Sequence, residues 1–206
     1  IDQVGVDTQN EVVKEEKRQR YDAPYGKLLK VLNENLFKVH PYKDENIGKM
    51  EHLDAATLEE FMAYHKTYYG PNNAVLIVAG DIDTEETIEL VKKYFDEVPR
   101  GNEVVRNFPK EEPISENVRA IAYDRNIQIP MLLSSFRTPG FASRDSYVLD
   151  MISTYLSSGK SSVLYKKLVD NQKQALQTQV INLGQVDYNI FAILALPLGD
   201  VSLDTL

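Results

Sequence analysis

Apolar residues recur at helical spacing in several stretches of the chain. In residues 27–37, four leucines lie three or four positions apart, which places them on one face of a helix. Residues 55–69 show the same spacing, and Asp54 stands where an N-cap is expected, so we predict a capped helix there. The same pattern predicts further helices over residues 85–97 (with Thr84 as the N-cap), from Ser143 as the N-cap to about residue 156, and over 161–171.

Short apolar runs of a second kind predict β-strands. Residues 74–80 (AVLIVAG) form a continuous apolar run with β-branched residues, which is typical of a buried strand. Further strands are predicted over residues 117–123, 129–136, 176–183 and 188–196, the last two as a hairpin. The order strand, strand, helix, helix, strand, strand in the second half predicts an α+β fold, with antiparallel-rich sheets and helices packed on one face.

The most charged run of the sequence, residues 9–26 (QNEVVKEEKRQRYDAPYG), predicts one helix that ends at a proline and a glycine. At about 100° per residue, Glu16 falls between Val12 and Val13 on the helix surface. Gln9 lies two turns earlier on the same arc. A carboxylate within an apolar stripe is costly unless it pairs with a base or binds a metal. From this pattern alone, an ion pair between Glu16 and a neighbouring arginine or lysine is the simpler interpretation.

Composition narrows the function classes. The 206 residues are 43% hydrophobic and 26% charged, which is typical of one large globular domain or two small ones. The net charge of −8 argues against nucleic-acid binding, and the absence of cysteine excludes thiolate chemistry. No apolar run is long enough to span a membrane. The chain opens without methionine and closes on the first turn of a predicted helix, so we expect it to be a fragment of a longer protein.

The isolated motifs favour structural roles. The three histidines, His40, His52 and His65, are not paired at zinc-binding spacing, so surface or capping roles are the simpler interpretation. Residues 157–162 (SSGKSS) lack the upstream glycine and the preceding strand of a phosphate-binding loop, and they predict a helix–helix connection instead. Residues 81–83 (DID) are interpreted as the exit of a strand followed by a helix cap, in preference to a metal site.

Several separated stretches, taken together, resemble the pitrilysin/insulinase family of inverted zinc metallopeptidases, of the bacterial, mitochondrial-processing-peptidase-like type. They occur in the family's order and cover nearly the whole chain. The most specific is the pattern Tyr-x-Pro-Asn-Asn, apolar strand, Gly-Asp. The matching stretches are residues 12–16 (VVKEE), 40–42 (HPY) with 47–48 (IG), 58–83, 156–169 and 172–176.

The resemblance implies that Glu16, the second glutamate of the VVxEE pattern, is a zinc ligand in the intact protein. The family's other two ligands belong to an HxxEH motif, which also supplies the general base and would precede Ile1. No catalytic residue is therefore expected within this chain, and no zinc is expected in the fragment alone. Many members have a glutamate at the position of Gln9, where it supports the ligand. Without the rest of the site, Glu16 should be either exposed or paired with a substitute cation.

The resemblance also implies the architecture and the partners. Residues 1–100 would complete a metal-bearing domain, 101–113 a linker, and 114–206 the first part of a second, related domain, so that both units are incomplete. The partners would be a peptide or unfolded polypeptide and a second similar half that closes a chamber, with no nucleic acid and no membrane span. The parent would be a zinc metalloendopeptidase or, alternatively, a non-catalytic, peptide-binding half. The compartment is open, with a periplasmic or other extracytoplasmic location favoured.

Overall fold

The computed structural model describes all of residues 1–206, which form two compact units. Each unit combines two separate stretches of sequence. Unit 1 consists of Ile1–Gln19 and Asn46–Lys110, and unit 2 of Arg20–Glu45 and Glu111–Leu206. The domain boundaries implied by the resemblance concern the intact protein and stay a prediction.

Helices dominate the first half of the chain and strands enter only in the second half. The helices are α1 (Gln3–Asp22), α2 (Leu28–Leu36), α3 (Met50–Ala55), α4 (Leu58–Tyr68), α5 (Thr84–Phe95) and α6 (Arg144–Ser157). The strands are β1 (Leu132–Pro139), β2 (Ala175–Leu183) and β3 (Tyr188–Pro197). Short 3-10 turns occur at Pro41–Lys43 and Pro71–Asn73, and a π-helical segment spans Tyr165–Asn171. No helix of the chain is both long enough and apolar enough to cross a bilayer.

Two predicted N-caps are wrong by a few residues. Helix α4 is capped by Thr57, whose hydroxyl accepts the N–H of Glu60 while the Glu60 carboxylate accepts the N–H of Thr57. Asp54 belongs instead to α3, a short helix that was not predicted from the sequence. Helix α5 is capped by Asp83, because its carboxylate accepts the N–H of Glu86 at 2.9 Å and Thr84 is already helical.

Two predicted strands do not form. Residues 74–80 and 117–123 have no assigned strand structure and lie largely exposed, with Val75 87%, Ile77 80% and Ile121 72% accessible. The apolar pattern of both stretches is typical of a strand, but a strand exists only when a neighbour accepts and donates its ladder of hydrogen bonds. No segment within residues 1–206 pairs with either stretch.

The sheet of unit 2 has the order β1-β3-β2, and both pairings are antiparallel. The predicted hairpin of β2 and β3 is confirmed, while β1 begins three residues later than predicted. The α+β class with an antiparallel sheet is confirmed. Central strand β3 is buried on both faces, which explains its nearly continuous apolar sequence.

Helices from distant parts of the chain cover the two faces of β3. Leu36 and Phe37, at the end of α2, pack against Ile190 and Ala192 to form the core of the unit. Alternate residues of β3 point to the opposite face, where the buried amide of Asn189 donates to the Ser146 hydroxyl of α6 at 2.8 Å. Helix α2 thus contributes to a core whose strands lie about 100 residues or more later in the sequence.

Candidate functional site

The site predicted from the sequence lies on α1, and the structure places its two residues on one solvent-exposed arc of the helix. Gln9 and Glu16 are both exposed. Val12, between them on the arc, is 55% exposed. The prediction that this arc is a buried apolar stripe is therefore wrong in this structure.

The buried side of α1 is a different arc. Its buried residues are Val6 and Lys17, and Asn10, Val13 and Lys14 are half-buried beside them. At about 100° per residue, the centre of this arc is about 110° around the helix from that of the predicted stripe. The spacing of Val12 and Val13 did not indicate that Lys17 would be buried more deeply than either of them.

Polar side chains hold this buried side to the segment that contains α3. Asn10 Nδ2 donates to the carbonyl of Leu53 at 3.1 Å. Lys14 Nζ lies 2.6 Å from the carboxylate of Asp54, and this contact, more than any other, raises the pKa of the Lys14 ammonium. Lys17, which is 9% exposed, donates its ammonium to the carbonyl of Gly48.

We refer to Asn10, Lys14 and Lys17 as the polar seam. Its members stand at positions i, i+4 and i+7, so they share one face of the helix. The centre of the seam is about 140° around the helix from the arc that contains Gln9 and Glu16. Helix α1 therefore carries the predicted ligand on its exposed side and the polar seam on its buried side.

A catalytic zinc site needs about three protein ligands, drawn from histidine, cysteine and carboxylate side chains. No group of three or more histidine, cysteine, aspartate or glutamate side chains within residues 1–206 is arranged to hold a metal ion. Glu16 fits the role of a single contributed ligand, because a carboxylate on an exposed face of a 20-residue helix is accessible and held in place. The remaining ligands would have to come from outside this chain.

None of the three histidines joins Glu16. His52 and His65 are exposed on α3 and α4, and the His65 ring stacks on Tyr69 with centroids 5.1 Å apart. His40 is a capping residue, as predicted, since its Nδ1 accepts the N–H of Tyr42 at 3.2 Å. It is also buried, at 1% exposure, and its Nε2 lies 3.5 Å from the carboxylate of Asp187.

A buried ion pair beside His40 was not anticipated from the sequence. One carboxylate oxygen of Glu111 accepts the backbone N–H groups of Lys38, Val39 and His40 at 2.7–2.8 Å. The other lies 3.2 Å from Nη1 of Arg137. Burial by itself raises the pKa of the Glu111 carboxyl, but the three N–H groups and Arg137 outweigh burial and hold the pKa below its ordinary value. Both oxygens of the Glu111 carboxylate therefore have partners within unit 2, which indicates a structural role.

The two remaining motifs also have structural roles. Ser157 joins the end of α6 to β2, because its hydroxyl accepts the N–H of Val180 at 2.8 Å. Gly159, with φ +72°, then turns the chain towards the next helical segment, so residues 157–162 form the predicted helix–helix connection. The carboxylate of Asp83 caps α5. Because both motifs have structural roles, the candidate functional site is the one on α1.

Comparison with known proteins gives the same family as the sequence motifs. Residues 55–199 match the family described as the peptidase M16 inactive domain. The zinc protease PqqE of Helicobacter pylori is 31% identical over 190 residues, which covers 91% of this chain and 43% of PqqE. The chain thus spans less than half the length of this relative.

Solved structures of similar proteins show the same fold. A protease from Helicobacter pylori superposes with a TM-score of 0.87 and 27% identity, covering 100% of this chain and 50% of that one. The periplasmic protease PqqL from Escherichia coli superposes with a TM-score of 0.72 and 18% identity, covering 95% of this chain and 22% of that one. The family predicted from the motifs is confirmed, and the chain belongs to the peptidase M16 family.

Proposed function

We propose that this chain is part of a zinc metalloendopeptidase and that Glu16 is one of its metal ligands. The observation that carries the proposal is the presentation of Glu16 on an exposed face of α1, with Gln9 two turns earlier on the same arc. The similarity to a zinc protease over 91% of the chain supports it. Glu16 precedes residues 55–199, the stretch that matches the inactive domain. The chain would therefore combine a metal-binding helix with a largely non-catalytic remainder.

The roles of the chain's own residues follow from their chemistry. When bound, zinc polarises the scissile carbonyl and lowers the pKa of a water molecule, and so generates the nucleophile for peptide hydrolysis. Glu16 would hold the metal through its carboxylate. Gln9 would support the site from two turns earlier through the hydrogen bonds of its amide, which adds no charge. No residue of this chain is assigned the role of general base.

The second candidate is a peptide-binding half without catalysis. It is favoured by the match of residues 55–199 to the inactive domain. In this case the parent would close the chamber of a peptidase partner and bind peptide or unfolded polypeptide. The residues upstream of Ile1 distinguish the two functions, because an active half requires an HxxEH motif there.

The ligand assignment is tested in the intact protein by replacing Glu16 with glutamine. We expect Glu16→Gln to lower both zinc stoichiometry and peptide cleavage severely, since an amide is a much poorer zinc ligand than a carboxylate. Glu15→Gln is the matched control, because Glu15 is the adjacent exposed glutamate and pairs with Arg18 on the surface. Zinc content measured by atomic emission should fall only in the first variant. Unchanged zinc content in Glu16→Gln would refute the assignment.

Two further parts of the proposal have their own tests. The isolated chain of residues 1–206 should bind no catalytic zinc and cleave no peptide, and chelator-sensitive cleavage of an unstructured peptide by the purified chain would contradict this.

We also propose an extracytoplasmic location for the parent, and in the intact cell a tagged parent should fractionate outside the cytoplasm.

A further inference from the structure

We propose that Lys17 is a positioning residue for Glu16, acting through the rotation of α1. This inference rests on the proposed function, because it concerns how the predicted ligand is presented. Lys17 lies on the buried side of the helix and Glu16 on the exposed side. Lys17 would fix the rotation of the helix, and Glu16 would bind the metal.

The burial of Lys17 requires an explanation. At 9% exposure its ammonium has lost most of its water, which is unfavourable unless a hydrogen-bond acceptor replaces it. The carbonyl of Gly48 is that acceptor. Gly48 has φ +78°, a left-handed conformation that glycine adopts readily, so its carbonyl direction depends on this residue type. An apolar side chain at position 17 would pack without that cost, so what the lysine adds is a directional bond.

Directional bonds matter here because Val6 and Val13 are on the buried side of α1, whereas burial of Val12 together with Val13 would require a different rotation. Hydrophobic burial is non-directional, and Val12 and Val13 would favour a rotation of α1 that turns Glu16 inward. The polar seam opposes this rotation. Its three bonds are spread over positions 10 to 17, about 10 Å along the helix axis, and all end on residues 48–54. They define both the rotation and the axial position of the helix.

Lys17 is the member of the seam whose loss should have the largest effect. Lys14 and Asn10 are only half-buried, whereas Lys17 is buried. Lys17 is buried and holds the end of the seam next to Glu16 in sequence. Removing its ammonium should release the rotation of α1 and misplace the Glu16 carboxylate, without removing any metal ligand.

The experiment uses the intact protein and measures zinc affinity by competition with a chelating dye. Lys17→Met keeps the length of the side chain and removes its donor, and we expect the zinc dissociation constant to rise about tenfold, as for other residues that orient a ligand. Lys17→Arg retains a donor and should restore most of the affinity. Arg18→Met is the matched control, since Arg18 is an exposed cation on the same helix, and it should leave the constant unchanged.

A double-mutant cycle separates positioning from general destabilisation. In the Glu16→Gln background, Lys17→Met should have no further effect on zinc affinity, because no carboxylate is left to misplace. The visible spectrum of the cobalt-substituted protein, which reports ligand geometry, should change in Lys17→Met alone. If Lys17→Met fails to fold, Asn10→Ala at the other end of the seam replaces it, with a smaller effect in the same direction.

Each outcome decides the proposal. An equal effect of Lys17→Met in both backgrounds, or an unchanged affinity and cobalt spectrum, would overturn the positioning role of Lys17. If Glu16→Gln itself retains zinc, the proposed function fails, and the failure is then attributed to the ligand assignment and not to Lys17. Loss of zinc in Glu16→Gln with wild-type behaviour of Lys17→Met overturns the positioning role alone.

Discussion

The carboxylate of Glu111 and the guanidinium of Arg137 lie 3.2 Å apart, with side chains that are only 3% and 8% exposed. Arg137 also donates to the carbonyl of Leu36 at 2.5 Å, and Glu111 accepts three consecutive backbone N–H groups at residues 38–40. This pair therefore joins the start of the Glu111–Leu206 stretch of unit 2 to the segment that follows α2. Removal of this ion pair should therefore destabilise the core of unit 2.

Glu111→Gln is expected to destabilise unit 2 by about 3 kcal/mol, because removing one partner of a buried ion pair leaves the other charge uncompensated. The measurement is urea unfolding followed by circular dichroism. Glu112→Gln is the control, since the Glu112 side chain is exposed and adjacent, and it should change the free energy of unfolding by less than about 0.5 kcal/mol. Equal effects of the two substitutions would contradict the assignment of the buried pair.

The stabilising contribution of Glu111 should depend on pH. Its pKa in the folded protein lies below the ordinary glutamate value of about 4.3, so the unfolded chain takes up a proton first as the pH falls. The contribution is therefore fully present above that ordinary value and is lost as the pH falls through the folded pKa. The difference in free energy of unfolding between the wild type and Glu111→Gln should be constant near neutrality and shrink below about pH 4. If the difference in free energy of unfolding between the two proteins grew on acidification, it would contradict this pH dependence.

Gly26→Ala should prevent the turn at the end of α1 from forming as observed. A Cβ atom at position 26 would lie 1.8 Å from the carbonyl oxygen of Arg20, which is backbone and has no room to move. We expect a loss of about 3 kcal/mol in the free energy of unfolding, at the upper end of overpacking effects. Gly184→Ala is the control, because a Cβ there meets only Phe141 at an ordinary 3.6 Å. Comparable unfolding midpoints for the two variants would refute the close approach.

The two candidate caps of α5 can be separated by neighbouring substitutions. Asp83→Ala should cost about 1 kcal/mol of local helix stability, because the N–H of Glu86 loses its acceptor. Thr84→Ala should be nearly neutral, since Thr84 is the first helical residue and not the cap. Hydrogen exchange of the amides in the first turn of α5 should accelerate in the Asp83 variant only. Faster exchange in the Thr84 variant would restore the cap predicted from the sequence.

Local signals in the sequence predicted the elements whose partners lie nearby. Ser143 caps α6 as expected, since an N-cap bonds to an amide two or three residues away. The hairpin of β2 and β3 also forms as expected because a short turn joins its strands. The run at residues 74–80 has equally strong strand character, but it finds no pairing segment, and strand propensity alone does not supply one.

Long-range contacts were the part that sequence patterns did not reveal. Glu111 stood in a stretch rich in proline and charge, which favours a linker, and nothing local indicated that Arg137 and the amides after α2 would surround it. The same limit applies to α1. Periodicity placed Glu16 on one arc with Val12, but the choice of the buried side depended on acceptors near Gly48 and Leu53, far along the chain. The role proposed for Glu16 came from the family resemblance, because residue spacing alone does not identify it as a zinc ligand.

The interleaved composition of unit 2 has a consequence for any truncated form of this protein. A piece that begins at residue 114 would carry all three strands but lack Leu36, Phe37 and Glu111. The face of β3 that contains Ile190 would then be exposed to water, and Arg137 would have lost its carboxylate. Such a piece should aggregate or remain molten, whereas a piece that begins at Glu111, co-expressed with residues 20–45 as a separate peptide, should form a soluble unit. Unit 2 should therefore assemble from two separate polypeptides, because in the intact chain it is built from two separate stretches.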